Sequence, residues 1–193
     1  MHTSILMDAV AGKWNTKPET IQKLIKLGAN VHARRADGLS VLMVATKNNS
    51  PWQLGILQIL IDAEANISAL DDKGRTFLMH FVSKLQTFGE SEKLFLKQFL
   101  ETEDWITDTC KNGHTAFMYA AKTANKEVMR FLLENGAAKN VPAAKEALKI
   151  FKANVEENYA LEWMELNSFR TLEIDCESVF GPITEFDYID ELE

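Results

Sequence analysis

The sequence predicts an all-α protein, a short solenoid of about four helix–turn–helix units with a helical C-terminal cap. A phrase of the form Ser/Thr-x-Leu/Phe-Met-x-Ala/Phe begins at Ser4, Ser40, Thr76 and Thr115, at spacings of 36, 36 and 39 residues. Two other phrases keep step with it: a Gly after polar residues, as in ADG, and a small-residue phrase such as LGANVHA. Periods of this size indicate stacked supersecondary units that cannot each bury their apolar face alone.

Each unit is predicted to begin with a tight turn and a short helix. Turns that need positive φ favour Gly after polar residues, and here they fall at Gly38, Gly74 and Gly113. The short helix carries a small residue at the same position of the phrase in three units: Ala9, Ala45 and Ala120. A small side chain there allows neighbouring helices to approach closely. Phe81 replaces Ala in the third unit, so we expect different packing there.

A second helix is predicted to follow in each unit, with apolar residues at helical spacing. Pro18 and Pro51 suit a first helical turn, where the missing N–H costs nothing. Gly28 and Gly136 suit helix C-termini. The third unit is longer than the others, and we expect it to be lengthened around residues 85–93, reading LQTFGESEK.

This pattern resembles the ankyrin repeat over about residues 3–141. The family's Gly-x-Thr-Pro-Leu-His-x-Ala phrase is matched by Gly38-x-Ser40-Val-Leu-Met-x-Ala45, with apolar residues and Met in place of its Pro and His. Its Leu-Leu-x-x-Gly-Ala phrase is matched by Leu132-Leu133-Glu-Asn-Gly136-Ala137. The resemblance implies two antiparallel helices in each unit and a turn projecting at right angles. It divides the chain into repeats at 3–33, 34–69, 70–108 and 109–141.

The remainder of the chain is predicted to form a cap and a tail. Residues 142–170 are strongly helical, with one apolar stripe at Ala147, Phe151, Val155, Tyr159 and Trp163. Residues 171–193 contain eight of the 28 acidic residues and no Lys or Arg, which leaves 20 acidic against 21 basic residues before them. Apolar residues alternate with these acids. The tail therefore has three interpretations: it packs on the cap, it binds a basic partner, or it covers a basic groove.

Composition and motifs argue against several classes of protein. The two cysteines are too few for a disulfide scaffold, the N-terminus does not read as a signal peptide, and no apolar segment is long enough for a membrane span. We therefore expect a soluble, cytoplasmic protein. No nucleotide-binding, nucleophile or zinc-protease motif occurs, so we expect no enzyme, no metal and no cofactor.

Three groups of residues could be mistaken for chemical sites. Cys110 and His114 could form a thiolate–imidazole pair, but we expect them to belong to a repeat turn. His80 is expected to be a packing or surface residue. The repeated methionines, Met7, Met43, Met79 and Met118, are expected to be core rather than a soft recognition surface.

The resemblance implies that a partner docks on the concave side, formed by the turn tips and the exposed ends of the first helices. Carried onto this sequence, the contact residues are Asp37, Leu39, Lys47, Asp72, Lys73, Arg75, Lys84, Lys111, Asn112, His114 and Lys122, with Ala36, Asn48, Ser83 and Thr123 beside them. Six of the eleven are Lys or Arg and two are Asp. These positions form either an ordinary solvated face or a basic groove matched to an acidic protein.

The predicted function is protein–protein interaction. Nucleic acid is disfavoured, because these positions carry no stacking aromatic residue and the acidic tail would repel phosphates. One alternative is an immunity or inhibitor protein that neutralises a cytotoxic nuclease-like toxin through its acidic tail. Another is a bacterial effector that captures a host protein. The oligomeric state is left open.

Overall fold

The computed structural model describes residues 4–85, 87–100 and 105–154. In these ranges the chain forms α1 (Ile5–Val10), α2 (Pro18–Lys26), α3 (Val41–Ala45), α4 (Gln53–Asp62), α5 (Phe77–Val82), α6 (Glu90–Leu100), α7 (Ala116–Lys122), α8 (Lys126–Glu134), a 3-10 helix (Ala137–Lys139) and α9 (Val141–Asn154). The one β-type pairing among them is an isolated bridge between Arg34 and Ser40. The predicted all-α class is confirmed.

The chain divides into two compact units, Met1–Ala116 and Phe117–Glu193. In the first unit, α1 packs on α3 and α3 on α5, while α2 packs on α4. The helices also pair within each repeat, α1 with α2 and α3 with α4. Stacked helix pairs of this kind are the arrangement that the repeat period predicts. In the second unit, the 3-10 helix packs against both α8 and α9.

The Ser or Thr of the repeated phrase is a helix N-cap. Its side-chain oxygen accepts a hydrogen bond from the backbone N–H of the Met three residues later, at 3.2 Å for Ser4–Met7, 3.3 Å for Ser40–Met43 and 3.3 Å for Thr76–Met79. Such a bond satisfies one of the N–H groups that the start of a helix leaves unpaired. The Met side chains are buried, and so is Met118, which confirms that they belong to the core.

The same turn precedes each of the last three copies of the phrase. In each turn, the backbone N–H of the Gly donates to the carbonyl oxygen of the residue three positions earlier. Gly38 donates to Arg35 at 3.0 Å, and Gly74 donates to Asp71 at 2.8 Å. The predicted positive φ is present at Gly38, Gly74 and Gly113, with values of 77°, 72° and 74°. The turn therefore repeats in hydrogen bonding as well as in sequence.

Aromatic residues fill the core at the third repeat. The ring centroids of Phe81 and Phe77 lie 5.7 Å apart, and those of Phe81 and Phe95 lie 5.6 Å apart. Ala9 and Ala45 in the preceding repeats are buried without any such ring cluster. The expectation of different packing at Phe81 is confirmed.

The expectation of a lengthened segment at 85–93 is wrong. The connection between the two helices of a repeat has seven residues in the first three repeats: 11–17, 46–52 and 83–89. The second helix is longer instead: α6 has 11 residues, against nine in α2 and ten in α4. Pro51 also differs from expectation, since it lies in the turn that precedes α4.

Part of the predicted cap falls within α9. Ala147 and Phe151 are fully buried in the second unit, and the Nδ2 of Asn154 donates to the carbonyl oxygen of Ala121 at 3.5 Å. The rest of the predicted stripe, from Val155 to Trp163, lies outside the described residues. So does the acidic tail, residues 171–193.

Candidate partner-binding face

The turn tips of the first unit are joined to one another by backbone hydrogen bonds. The N–H of Asp72 donates to the carbonyl oxygen of Asp37 at 3.3 Å, and the N–H of Lys111 donates to that of Lys73 at 3.0 Å. All four side chains are exposed, as is that of Asn112. The structure therefore places these predicted contact residues along one hydrogen-bonded edge.

The side chain of Arg34 forms hydrogen bonds with the backbone of two successive turns. Its Nε and Nη2 donate to the carbonyl oxygen of Gly38 at 3.1 and 2.8 Å. Its Nη2 also donates to the carbonyl oxygen of Leu70 in the next repeat. Because a guanidinium offers several donors in a fixed plane, one side chain can fix two backbone segments at once.

A buried carboxylate organises the turn of the third repeat. The Oδ1 of Asp71 accepts from the backbone N–H groups of Lys73 at 2.9 Å and Arg75 at 2.8 Å. Its Oδ2 accepts from the Nε of Arg75 at 2.7 Å and is 3.0 Å from the Nε2 of His80. Asp71 and His80 are each only 5% exposed. The position of Asp71, three residues before a turn Gly, was the available sequence signal, since Asp favours such turns.

The protonation of this pair follows from its contacts. Burial would raise the pKa of Asp71, but hydrogen bonds from the Arg75 backbone, His80 and the Arg75 side chain outweigh burial and lower it. Burial lowers the pKa of His80, and the neighbouring Arg75 and Lys47 lower it further against the raising effect of Asp71. We therefore assign an ionised Asp71 and a neutral His80 that donates from Nε2.

Lys47, which follows the end of α3, is under the electrostatic influence of three other cations. The pKa of Lys47 is lowered by its partial burial and by Arg35, Arg75 and Lys84, and only Asp37 acts in the opposite sense. We name Arg35, Lys47, Arg75 and Lys84 the cation cluster. Arg35 Nε lies 3.5 Å from Asp37 Oδ1, and Arg75 is paired with Asp71. Within the described ranges, the ammonium groups of Lys47 and Lys84 have no ion-pair partner.

The cluster differs in membership from the predicted face. Sequence reasoning missed Arg35, because the turn tip was taken to begin after it. Leu39 is only 2% exposed, so its assignment as a partner contact is wrong; the chain enters α3 directly after the Gly38 turn and carries Leu39 into the core. Asn48 is also buried, and its Nδ2 donates to the carbonyl oxygen of Val10 at 3.1 Å.

Lys122 and His114 are the last two of the predicted contact residues. Lys122 belongs to α7, in the second unit, and its Nζ lies 5.4 Å from the ring centroid of Tyr119. His114 is half-buried, and its carbonyl oxygen accepts from the N–H of Cys110 at 2.9 Å. Arg35 and Leu39 make the equivalent backbone hydrogen bond in an earlier turn, also at 2.9 Å. Cys110 and His114 are therefore turn residues.

The described ranges contain neither a metal-binding cluster nor a membrane-spanning helix. Across 4–85, 87–100 and 105–154, no group of three His, Cys, Asp or Glu residues could hold a metal ion. In those same ranges, no helix has both the length and the apolar character needed to cross a membrane.

The sequence model of ankyrin repeats, in three copies, matches residues 6–88 and 52–143. The chain is similar to "Ankyrin repeat, SAM and basic leucine zipper domain-containing protein 1" of Rhinolophus ferrumequinum, with 27% identity over 81% of this chain and 33% of the relative. It is similar to "Ankyrin repeat family A protein 2" of Mus musculus and of Homo sapiens, with 28% identity over 64% of this chain and 39% of each relative. The chain thus spans about a third to two fifths of these relatives.

Proposed function

The chain belongs to the ankyrin-repeat family, and from that membership we propose that it is a non-enzymatic protein-binding module whose partner contacts the turn tips and the cation cluster. Ankyrin repeats are generic modules for protein–protein interaction. The observation that carries the finer proposal is the cation cluster, where Lys47 and Lys84 stand without carboxylate partners among the described residues.

An acidic protein surface is the partner that this cluster fits. Three cations lower the pKa of Lys47 and one carboxylate raises it, so the site carries excess positive potential that a bound carboxylate would offset. Lys73 and Lys111 extend the positive charge along the hydrogen-bonded turn tips. The flanking Asp37 and Asp72 would disfavour a phosphate backbone.

We place this function in the cytoplasm. Cys110 is a free, buried thiol in the core of the first unit. Free thiols are ordinary in reducing compartments, whereas oxidising compartments favour disulfides. Fractionation of cells that express the tagged chain would test this placement.

Charge reversal at the unpaired cations tests the proposed function. Arg75 is unsuitable because it is tied to Asp71, so the test variant is Lys47→Glu with Lys84→Glu. The matched control is Lys23→Glu with Lys26→Glu, on exposed positions of α2. Partners captured from cells by the unaltered chain should be retained by the control and lost by the test variant, and their association should slow as salt increases. Equal retention by both variants would refute binding at the cluster.

Deletion of residues 171–193 separates the interpretations of the tail. If the tail itself binds a basic target, deletion abolishes capture while the charge reversals have little effect. If the tail competes for the cluster, deletion strengthens capture. The proposed function expects capture to survive the deletion and to remain sensitive to Lys47 and Lys84.

A further inference from the structure

The first and second repeats share one register over both of their helices. Ser4 and Ser40 are the N-caps of α1 and α3, and they lie 36 positions apart. Gly28 and Glu64, also 36 positions apart, both have positive φ just after α2 and α4. Each residue of α1 and α2 therefore has an equivalent 36 positions later in the chain.

Equivalent apolar residues of the two repeats differ in exposure. Ile5, the first residue of α1, is 66% exposed, whereas its equivalent in α3, Val41, is fully buried. Leu24 of α2 is half-buried, whereas its equivalent in α4, Leu60, is fully buried. The second repeat packs against the first through α1–α3 and α2–α4 contacts, which cover this side of its helices. The same side of the first repeat is a stacking surface that no described element covers in this way.

This surface of the first repeat carries apolar side chains together with one acid and one base. Asp8 lies on it, because its equivalent in α3, Val44, is buried. The Oδ1 of Asp8 pairs with the Nζ of Lys13 at 2.5 Å. Leu27 lies one turn beyond Leu24 on the same side of α2 and is 84% exposed. The outer face of a terminal repeat is expected to be polar, so these apolar residues indicate a binding surface. We name the surface the end face and define it by Ile5, Asp8, Lys13, Leu24 and Leu27.

We propose that the end face binds the end face of a second copy of this chain, with the two copies related by a two-fold axis. Such an axis brings the same patch of both copies together, so the patch must be complementary to itself. Asp8 and Lys13 meet this requirement, because the acid of each copy can pair with the base of the other. Ile5 and the two leucines would then be covered by apolar residues, as their equivalents are between the first and second repeats.

The dimer is expected to be weak because the end face is small. Helix α1 has six residues and α2 has nine, so the two helices are about 9 and 14 Å long. A face of this size falls below the area of about 800 Å2 that each partner buries in a standard stable interface. We therefore expect a concentration-dependent equilibrium between monomer and dimer.

Sedimentation equilibrium of the full chain, at concentrations up to about 1 mM, tests this inference. Physiological salt in the buffer screens the repulsion that the net charge of −7 would otherwise cause between copies. The test variant is Ile5→Glu, which should weaken association by about tenfold or more, because a charge replaces a side chain that the dimer buries. Helix α1 should still form, since acidic residues are favourable near a helix N-terminus.

Leu94→Glu is the matched control for Ile5→Glu. It adds the same charge at a leucine of α6 that is 65% exposed and lies outside the end face. The control should associate as the unaltered chain does. A thermal melt of each variant checks that it folds.

Charge exchange tests the two-fold arrangement itself. Asp8→Lys leaves two bases on the end face, and Lys13→Asp leaves two acids. Each variant alone should associate more weakly than the unaltered chain, because like charges then face each other. An equimolar mixture of the two variants should associate again, because the bases of one copy face the acids of the other.

Several results would overturn the inference. One is an unaltered chain that stays monomeric up to about 1 mM. Another is equal association of Ile5→Glu and Leu94→Glu. The inference also fails if the charge variants associate alone as the unaltered chain does, or if their mixture associates no better than either alone. The proposed function does not depend on these results, because Lys47 and Lys84 lie outside the end face.

Discussion

The Nε2 of His80 donates a hydrogen bond to the Oδ2 of Asp71 across 3.0 Å, and both side chains are almost fully buried. This bond joins helix α5 to the turn that precedes it. Because the same carboxylate also accepts from Arg75, the pair connects the core of the third repeat to the cation cluster.

Stability should fall as the pH drops below about 6.5, the ordinary pKa of histidine. The pKa of His80 is lowered in the folded chain, so below 6.5 the unfolded state takes up a proton that the folded state resists. The loss continues until the pH reaches the lowered folded pKa. Urea unfolding at a series of pH values between 7 and 5 measures it.

His80→Gln provides the control for this pH dependence. Glutamine keeps an N–H donor for Asp71 but cannot titrate, so the free energy of unfolding should vary less with pH in the variant. Identical pH profiles would show that His80 does not cause the effect. The lowered pKa of Asp71 adds a separate loss at more acidic pH, below about 4.

Asp71→Asn should lower the free energy of unfolding by about 3 kcal/mol, because it removes the charge that balances Arg75 in a buried network. Asp72→Asn changes the neighbouring exposed residue and should have little effect. Chemical denaturation of the two variants gives the comparison. Similar losses for both would mean that burial of Asp71 does not determine its contribution.

Glu64→Gly should raise the free energy of unfolding by about 0.5–1 kcal/mol, since a residue with a Cβ is strained at positive φ. Glu64 has φ of 62° and occupies the place that Gly28, at 88°, takes in the first repeat. In both, the next N–H bonds to a carbonyl five residues earlier, at 3.0 Å. Glu127→Gly, within α8, should instead destabilise. A lower melting temperature for Glu64→Gly would contradict the prediction.

Gly38→Ala should destabilise the chain more than Gly113→Ala does. Both residues have positive φ, so both variants carry a strain of about 1–2 kcal/mol. At Gly38 an added Cβ would also lie 2.5 Å from the backbone nitrogen of Asp72, whereas nothing lies within 4 Å at Gly113. Thermal unfolding of the two variants compares their stabilities. Equal melting temperatures would show that the neighbouring turn moves aside for the added Cβ without loss of stability.

Ala45→Leu should cost about 1–3 kcal/mol, because added methylenes must fit between closely packed helices. Ala45 is buried in α3, which packs against both α1 and α5. Ala36→Leu, at an exposed turn position, is the matched control and should change stability little. Ala120→Leu tests the same rule in the second unit, where Ala120 is fully buried. An unchanged melting curve for Ala45→Leu would refute the close packing.

The sequence by itself determined the repeated local structure. The Ser or Thr at each N-cap, the Gly at each positive φ and the buried Met act through bonds and dihedral angles within a few residues, and these leave a recognisable pattern. The exposed turn residues Asp37, Asp72, Lys73 and Lys111 were predictable for the same reason, since the turn recurs at a fixed place in each repeat.

Only the tertiary structure decided which of these residues act together. Asp71 and His80 meet because the turn folds back on α5. Arg35 and Lys84 both act on Lys47 because successive repeats stack. Leu39, which was predicted to lie on the partner-binding face, is buried in the core instead. Contacts between repeats join residues far apart in the chain, and a local pattern contains no information about them.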